Sequence, residues 1–132
     1  MLDDPRGVDI LESVSRLMRD TLIPRLPPDA VFQARVAANA IDLVLRELRT
    51  GERLEREAHD RLRVLLGHDG TLAELEAELS QLIRDGQVDL AAPALLEHLW
   101  ATTMAKMSID QPNYASYRRE LEARAAGTAA GR

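Results

Sequence analysis

Phe32-Gln33-Ala34-Arg35-Val36-Ala37-Ala38-Asn39-Ala40-Ile41-Asp42-Leu43-Val44-Leu45-Arg46-Glu47-Leu48 is the stretch that decides the fold class. Phe32, Val36, Ala40, Leu43 and Val44, with Glu47, repeat as one stripe at helical spacing. Val31, Ala38, Ile41, Leu45 and Leu48 repeat as a second. A helix that is apolar on two sides is packed on two sides, so this segment reads as the central helix. It is expected to run over 29–50, with Gly51 as its stop. Ala34, Ala37, Ala38 and Ala40 leave room for close neighbours.

Outward from that helix the same period continues. Upstream, Ile10, Leu11, Val14, Leu17, Met18 and Leu22 line one face of a first helix, opened by an Asp9–Glu12 capping box. Pro24, Pro27 and Pro28 end it and stiffen the connector. Downstream, a third helix is expected over 52–66, with Leu54, Ala58, Leu62, Leu65 and Leu66 inward and alternating charges outward. Gly67-His68-Asp69-Gly70 is a turn. Thr71 and Glu74 form a second capping box for a fourth helix, whose seam is Leu72, Leu75, Leu79, Leu82 and Ile83. Asp85-Gly86 closes it. Pro93 opens a fifth helix, with Leu95, Leu96, Leu99, Trp100, Thr103, Met104 and Met107 expected on its buried side. Pro112 ends it, and a weaker helical stretch follows through Leu121 and Ala125.

The expected fold is therefore all-α: a single-domain bundle of about five or six helices, with sequence neighbours mostly antiparallel. Residues 1–8 are expected to be a flexible N-terminus, 9–126 the helical domain and 127–132 a frayed C-terminal tail.

Composition narrows the function. Hydrophobic residues make up 45% of the 132, aromatic residues only 3%, which suits aliphatic helix packing. Seventeen Lys and Arg stand against 22 Asp and Glu, a net charge of −5 that disfavours phosphate backbones, so no nucleic-acid partner is expected. No apolar run reaches the ~20 residues of a membrane span, and the acidic start lacks a signal core. The expected location is cytoplasmic, with no membrane partner. There is no cysteine, which rules out thiol catalysis and disulfides.

No catalytic set is visible. The serines lie in no nucleophile-elbow pattern, and Gly67 and Gly70 have neither the spacing nor the lysine of a phosphate loop. Glu74, Glu76 and Glu78 read as a solvated face. His59, His68 and His98 lack the spacing of a helical metal pair, so neither metal nor cofactor is expected. The informative residues are polar ones inside apolar stripes. Arg35 and Asn39 sit one turn apart on the central helix; either they tie it to the segment after the fifth helix, or Arg35 anchors a partner or an anionic ligand. Asp110, Tyr114, Tyr117 and Arg118 form a second cluster of interface-prone residues, which a packed C-terminal strap explains as well. Trp100, Met104 and Met107 read as core.

Phe32-Gln33-Ala34-Arg35-Val36-Ala37-Ala38-Asn39-Ala40 with Arg46-Glu47-Leu48 resembles the signature of a bacterial family of unknown function, DUF6285. Gly86, Asp89-Leu90, Pro93-Ala94-Leu95-Leu96-Glu97-His98-Leu99, Thr102, Lys106 and Ile109-Asp110-Gln111-Pro112 with Tyr114 and Tyr117 fit the same pattern. Gln111 and Asn113 stand where the family has Asn before its proline and a basic residue after it. Such proteins resemble products of genes beside aminoglycoside-phosphotransferase-like kinases and acyl-CoA dehydrogenases. The resemblance implies a non-catalytic accessory subunit for such a kinase, acting on hydroxyacyl-CoA. The rival expectations are a small-ligand module for acyl-CoA with a pocket near Arg35 and Trp100, a structural homo-oligomer such as a homodimer, and a metalloenzyme built on its histidines.

Overall fold

The computed structural model describes residues 5–130. Residues 1–4 and 131–132, part of the expected flexible ends, lie outside the described residues. The protein is all-α, as its sequence predicts, with no strand among the described residues. The described residues form five α-helices, α1 (Gly7–Leu17), α2 (Pro28–Leu66), α3 (Leu72–Arg84), α4 (Pro93–Asp110) and α5 (Ala115–Ala130). Two compact units divide the chain, Met1–Glu52 and Arg53–Arg132.

In the first unit α1 starts earlier than the sequence predicts. Arg6 is the N-cap, and Asp9 occupies the third helical position, where its Oδ2 accepts the Arg6 amide at 3.3 Å. Asp9 therefore closes the first turn instead of opening it, and Glu12 is free to pair elsewhere. The helix does not stop at its first proline. A π-helical turn over Met18–Leu22 closes with the Ile23 amide on the Met18 carbonyl, and a 3₁₀ turn covers Ile23–Arg25. Pro24 explains the widening: it has no N–H, and its ring crowds the carbonyl four residues back. Leu26 is extended, and Pro28 then opens α2 at the position where a missing amide costs nothing.

α2 is the largest correction. The sequence predicts a stop at Gly51 and a separate helix over 52–66; the structure has one helix of 39 residues through both. Gly51 lacks the positive φ of a helix terminator, which among the described residues only Gly67 and Gly86 adopt. Inside a helix glycine weakens by about 1 kcal/mol; it does not break. Side chains on both sides of Gly51 favour helix, so that cost is absorbed.

The apolar core of the first unit is small. Ala38 and Leu45 are its buried hydrophobic residues among the described ones, beside buried Ser15. The second unit holds the larger core: Leu62 from α2, Leu75 and Leu79 from α3 and Leu95 from α4, with Leu65, Leu66, Leu72, Ile83, Val88 and Ala92 packed against them. Gly67 ends α2 at φ +78 and Gly86 ends α3 at φ +67, with the Gln87 amide reaching back to Leu82. The Thr71–Glu74 box is present, with the Thr71 amide on Glu74 at 2.8 Å.

The buried side of α4 is the one expected only at Leu95, Met104 and Met107, the last two half-buried. Leu95 and His98 are buried, while Leu96, Leu99 and Trp100 are 41–51% exposed and Thr103 is exposed. α4 is apolar nearly all round, so the period alone selects no face, and the inward side carries the polar His98 and half-buried Thr102. Trp100 is not core; the Arg124 guanidinium lies 5.6 Å from its ring centroid, a cation–π distance.

Candidate functional site

Two polar clusters stand out, one in each unit. In the first, α1 and α2 run antiparallel along one polar edge: Glu12 meets Arg49 at 2.8 Å, and Ser15 and Arg19 meet Asp42. Arg19 also donates to the Asn39 carboxamide at 2.8 Å. Burial alone raises the Asp42 pKa, but the hydrogen bonds from Ser15 and Arg19 overcome it, so the carboxyl is held below its ordinary value. Asp42 is thus a fixed negative charge that orients an arginine and a serine. An open groove of about 430 Å³ follows this edge, lined by Arg16, Arg19, Arg46 and Arg49 against Glu12, Asp20 and Asp42. On a chain of net charge −5, an edge with more arginines than carboxylates is a local inversion of sign.

Arg35 lies on the same flank of α2, one turn before Asn39. It is exposed, and its side chain makes no hydrogen bond or ion pair among the described residues. Asn39 is exposed too and is tied to Arg19. The sequence drew attention to Arg35 and Asn39 but missed Ser15, Arg19 and Asp42. The missed signal was Asp42, a carboxylate embedded in the apolar run Ile41-Asp42-Leu43-Val44.

In the second unit the predicted C-terminal cluster is loose. Asp110 ends α4, is exposed and makes no ion pair among the described residues. Tyr114 is 55% exposed, and its carbonyl accepts the Arg118 amide at 3.0 Å in the first turn of α5. Tyr117 is half-buried and Arg118 exposed. Arg35 and Asn39 belong to one unit, Asp110, Tyr114, Tyr117 and Arg118 to the other.

The other polar cluster of this unit is buried. His98 is 5% exposed, and its Nδ1 has no partner, nor have Arg61 Nε and Thr102 Oγ1. Burial first, then the charge of Arg61, push the His98 pKa down against the opposing pull of Glu76. His68 behaves oppositely: hydrogen bonds to Glu78 and to the Asp69 carbonyl raise its pKa on an exposed surface. His59 Nε2 lies 2.7 Å from the Gly70 carbonyl, which can only accept, so that nitrogen carries the proton. The three histidines thus have three separate local roles. No group of three or more His, Asp or Glu placed to hold a metal occurs among the described residues. No helix there is long and apolar enough to cross a membrane.

The two shifted histidines give a pH signature of opposite signs. A folded pKa below the unfolded one means that stability present above pH 6.5 is lost as the pH falls, and His98 acts this way. His68, with its raised value, stabilises below pH 6.5 and loses that as the pH rises. Replacing His98 with glutamine is expected to flatten the acid-side fall in thermal midpoint between about pH 7 and 5. A midpoint profile unchanged by His98→Gln would show that this imidazole is not buried neutral.

A family model described as a domain of unknown function, DUF6285, matches residues 24–114. The chain belongs to the DUF6285 family. No curated protein and no solved structure matches it. The DUF6285 span takes in Arg35, Asn39, Asp42, Arg61, His98 and Thr102, and ends at Tyr114. Ser15 and Arg19 lie before it, and Tyr117 and Arg118 after it. Half of the Arg19–Asp42 contact is therefore supplied from outside the DUF6285 span.

Proposed function

We propose that this DUF6285 chain is a non-catalytic accessory protein. Its partner in this reading is an aminoglycoside-phosphotransferase-like kinase acting on hydroxyacyl-CoA. The observation that carries the reading is Arg35: an exposed guanidinium without a partner among the described residues, held on a rigid helix within the family span. Beside it runs an arginine-rich groove whose geometry is set by Asp42. A planar fork of donors on a preorganised helix suits a carboxylate of a protein partner. Binding one conformation of the kinase more tightly than another would shift it toward that state.

The test is co-purification with an aminoglycoside-phosphotransferase-like kinase from the same cells, followed by kinase activity with and without the chain. Arg35→Ala is expected to weaken the complex about 30-fold or more, as loss of an interface hot spot does. Its thermal midpoint should barely move, because exposed substitutions cost within about 0.5 kcal/mol. No association, and unchanged activity on adding the chain, would defeat the proposal. Calorimetry with acyl-CoA alone separates it from a small-ligand module, since the arginine groove would be the place for such a ligand's phosphates.

A further inference from the structure

Three buried polar atoms of the second unit have no hydrogen-bond partner among the described residues. They are Nε of Arg61 on α2, and Nδ1 of His98 and Oγ1 of Thr102, one turn apart on α4. Folded proteins seldom leave such atoms unsatisfied, and each asks for a water, an ion or a ligand. Arg61 and His98 also line one open groove of about 530 Å³, walled by α2 and α4. That volume is within the range of small-molecule sites. His98, 5% exposed, lies at the base of the groove, and exposed Asp60 and Glu97 at its rim.

Charge and donor type select the occupant. Arg61 Nε can only donate, so the occupant must bring an acceptor, which an ammonium ion lacks. An anion has acceptors, but Asp60 and Glu97 stand at the rim and the charge of Glu76 reaches His98 from α3. Three carboxylates against one guanidinium disfavour a further negative group. His98 adds no positive charge at pH 7, since burial and then Arg61 push its pKa down. A neutral imidazole can accept at Nδ1. The groove therefore wants an uncharged group that accepts from Arg61 and donates to His98, and a carboxamide does both. Val64, Leu65 and Ala94, which complete much of the lining, are aliphatic and suit a hydrocarbon body.

We propose that the groove between Arg61 and His98 binds a small uncharged aliphatic amide, its carbonyl oxygen on Arg61 Nε and its N–H on His98 Nδ1. The Thr102 hydroxyl is the further donor available to the same carbonyl. All three atoms are covered from solvent, so the amide reaches them as the half-buried Arg61 side chain turns toward the groove. The site lies wholly in the second unit, and stands or falls independently of Arg35 and the kinase.

The probe is hexanamide, with hexanoate and hexylammonium as charge controls of the same chain length. In heteronuclear NMR titrations, hexanamide at millimolar concentration is expected to shift the Arg61 Nε–H and His98 ring resonances saturably. Each charged control should bind about tenfold more weakly or worse, having lost at least one of the two hydrogen bonds. Arg61→Met removes the Nε–H and should abolish the saturable shift at His98. The comparison of the three head groups on the parent chain decides the matter even if that variant fails to fold. Thr102→Val needs no ligand: it removes an oxygen without a partner, so the thermal midpoint of the free chain should hold or rise. A fall in that midpoint would mean that the hydroxyl is already bonded, and would overturn the proposal. So would the absence of a saturable shift with hexanamide, or hexanoate binding as tightly as the amide.

Discussion

Leu75→Ala is expected to destabilise the second unit by about 3–4 kcal/mol, within the range for fully buried leucines. Leu75 is 0% exposed and packs with Leu62, Leu79 and Leu95. It also lies against Gly70, where even an added Cβ would come within 3.3 Å of its Cδ2. Truncation removes contacts on every side, and the cavity is ringed by the turn that ends α2 and the helix that follows. Against a total stability of roughly 5–15 kcal/mol, that loss is a large fraction. Urea unfolding followed by far-UV ellipticity measures it as a drop in midpoint at constant slope. Val64→Ala is the control: Val64 is 85% exposed on the same helix as Leu62, so its loss should stay within about 0.5 kcal/mol. Equal costs for the two variants would contradict the placement of the core.

Substitution at Gly51 should have opposite signs depending on what replaces it. Gly51→Pro is expected to cost at least ~3 kcal/mol, because proline removes an internal amide and its ring strikes the Glu47 carbonyl. Gly51→Ala should stabilise by roughly 1 kcal/mol through helix propensity. The new Cβ would lie 2.8 Å from Glu47 Oε1, the end of a flexible side chain that can swing aside. Thermal midpoints and helical ellipticity of both variants check the pair. If alanine destabilised and proline were tolerated, Gly51 would be a helix end after all.

Gly51 also shows where a sequence stops being legible. The stripes on either side of it are phased for one helix, but a lone glycine before Glu52 reads as punctuation because glycine so often ends helices. What decides is its φ, and the sequence does not carry that. Gly67 and Gly86, read the same way, do terminate helices, with His68-Asp69-Gly70 behind the first and a bend at Val88 behind the second. The capping box at Thr71 and the seam of α3 were legible because a narrow apolar stripe leaves one possible inward face. α4 was not, because apolar residues surround it, and its buried side is marked by His98, a residue that polarity would turn outward. In the candidate site, Arg35 and Asn39 could be picked out as polar interruptions. Their surroundings could not, since Arg19 approaches from a segment whose helical phase the π turn alters.

That wide turn has a consequence for length variation. Met18–Leu22 holds one residue more than an ordinary α pitch requires. Deleting a residue within 20–22 would let the backbone tighten to the common helix while Glu12 stays opposite Arg49 and Ser15 opposite Asp42. The same deletion between Glu12 and Ser15 would rotate one against the other by roughly 100°, so that both pairs could not form at once. Homologous chains of unequal length should therefore differ at this turn, and hold constant the run of residues just before it.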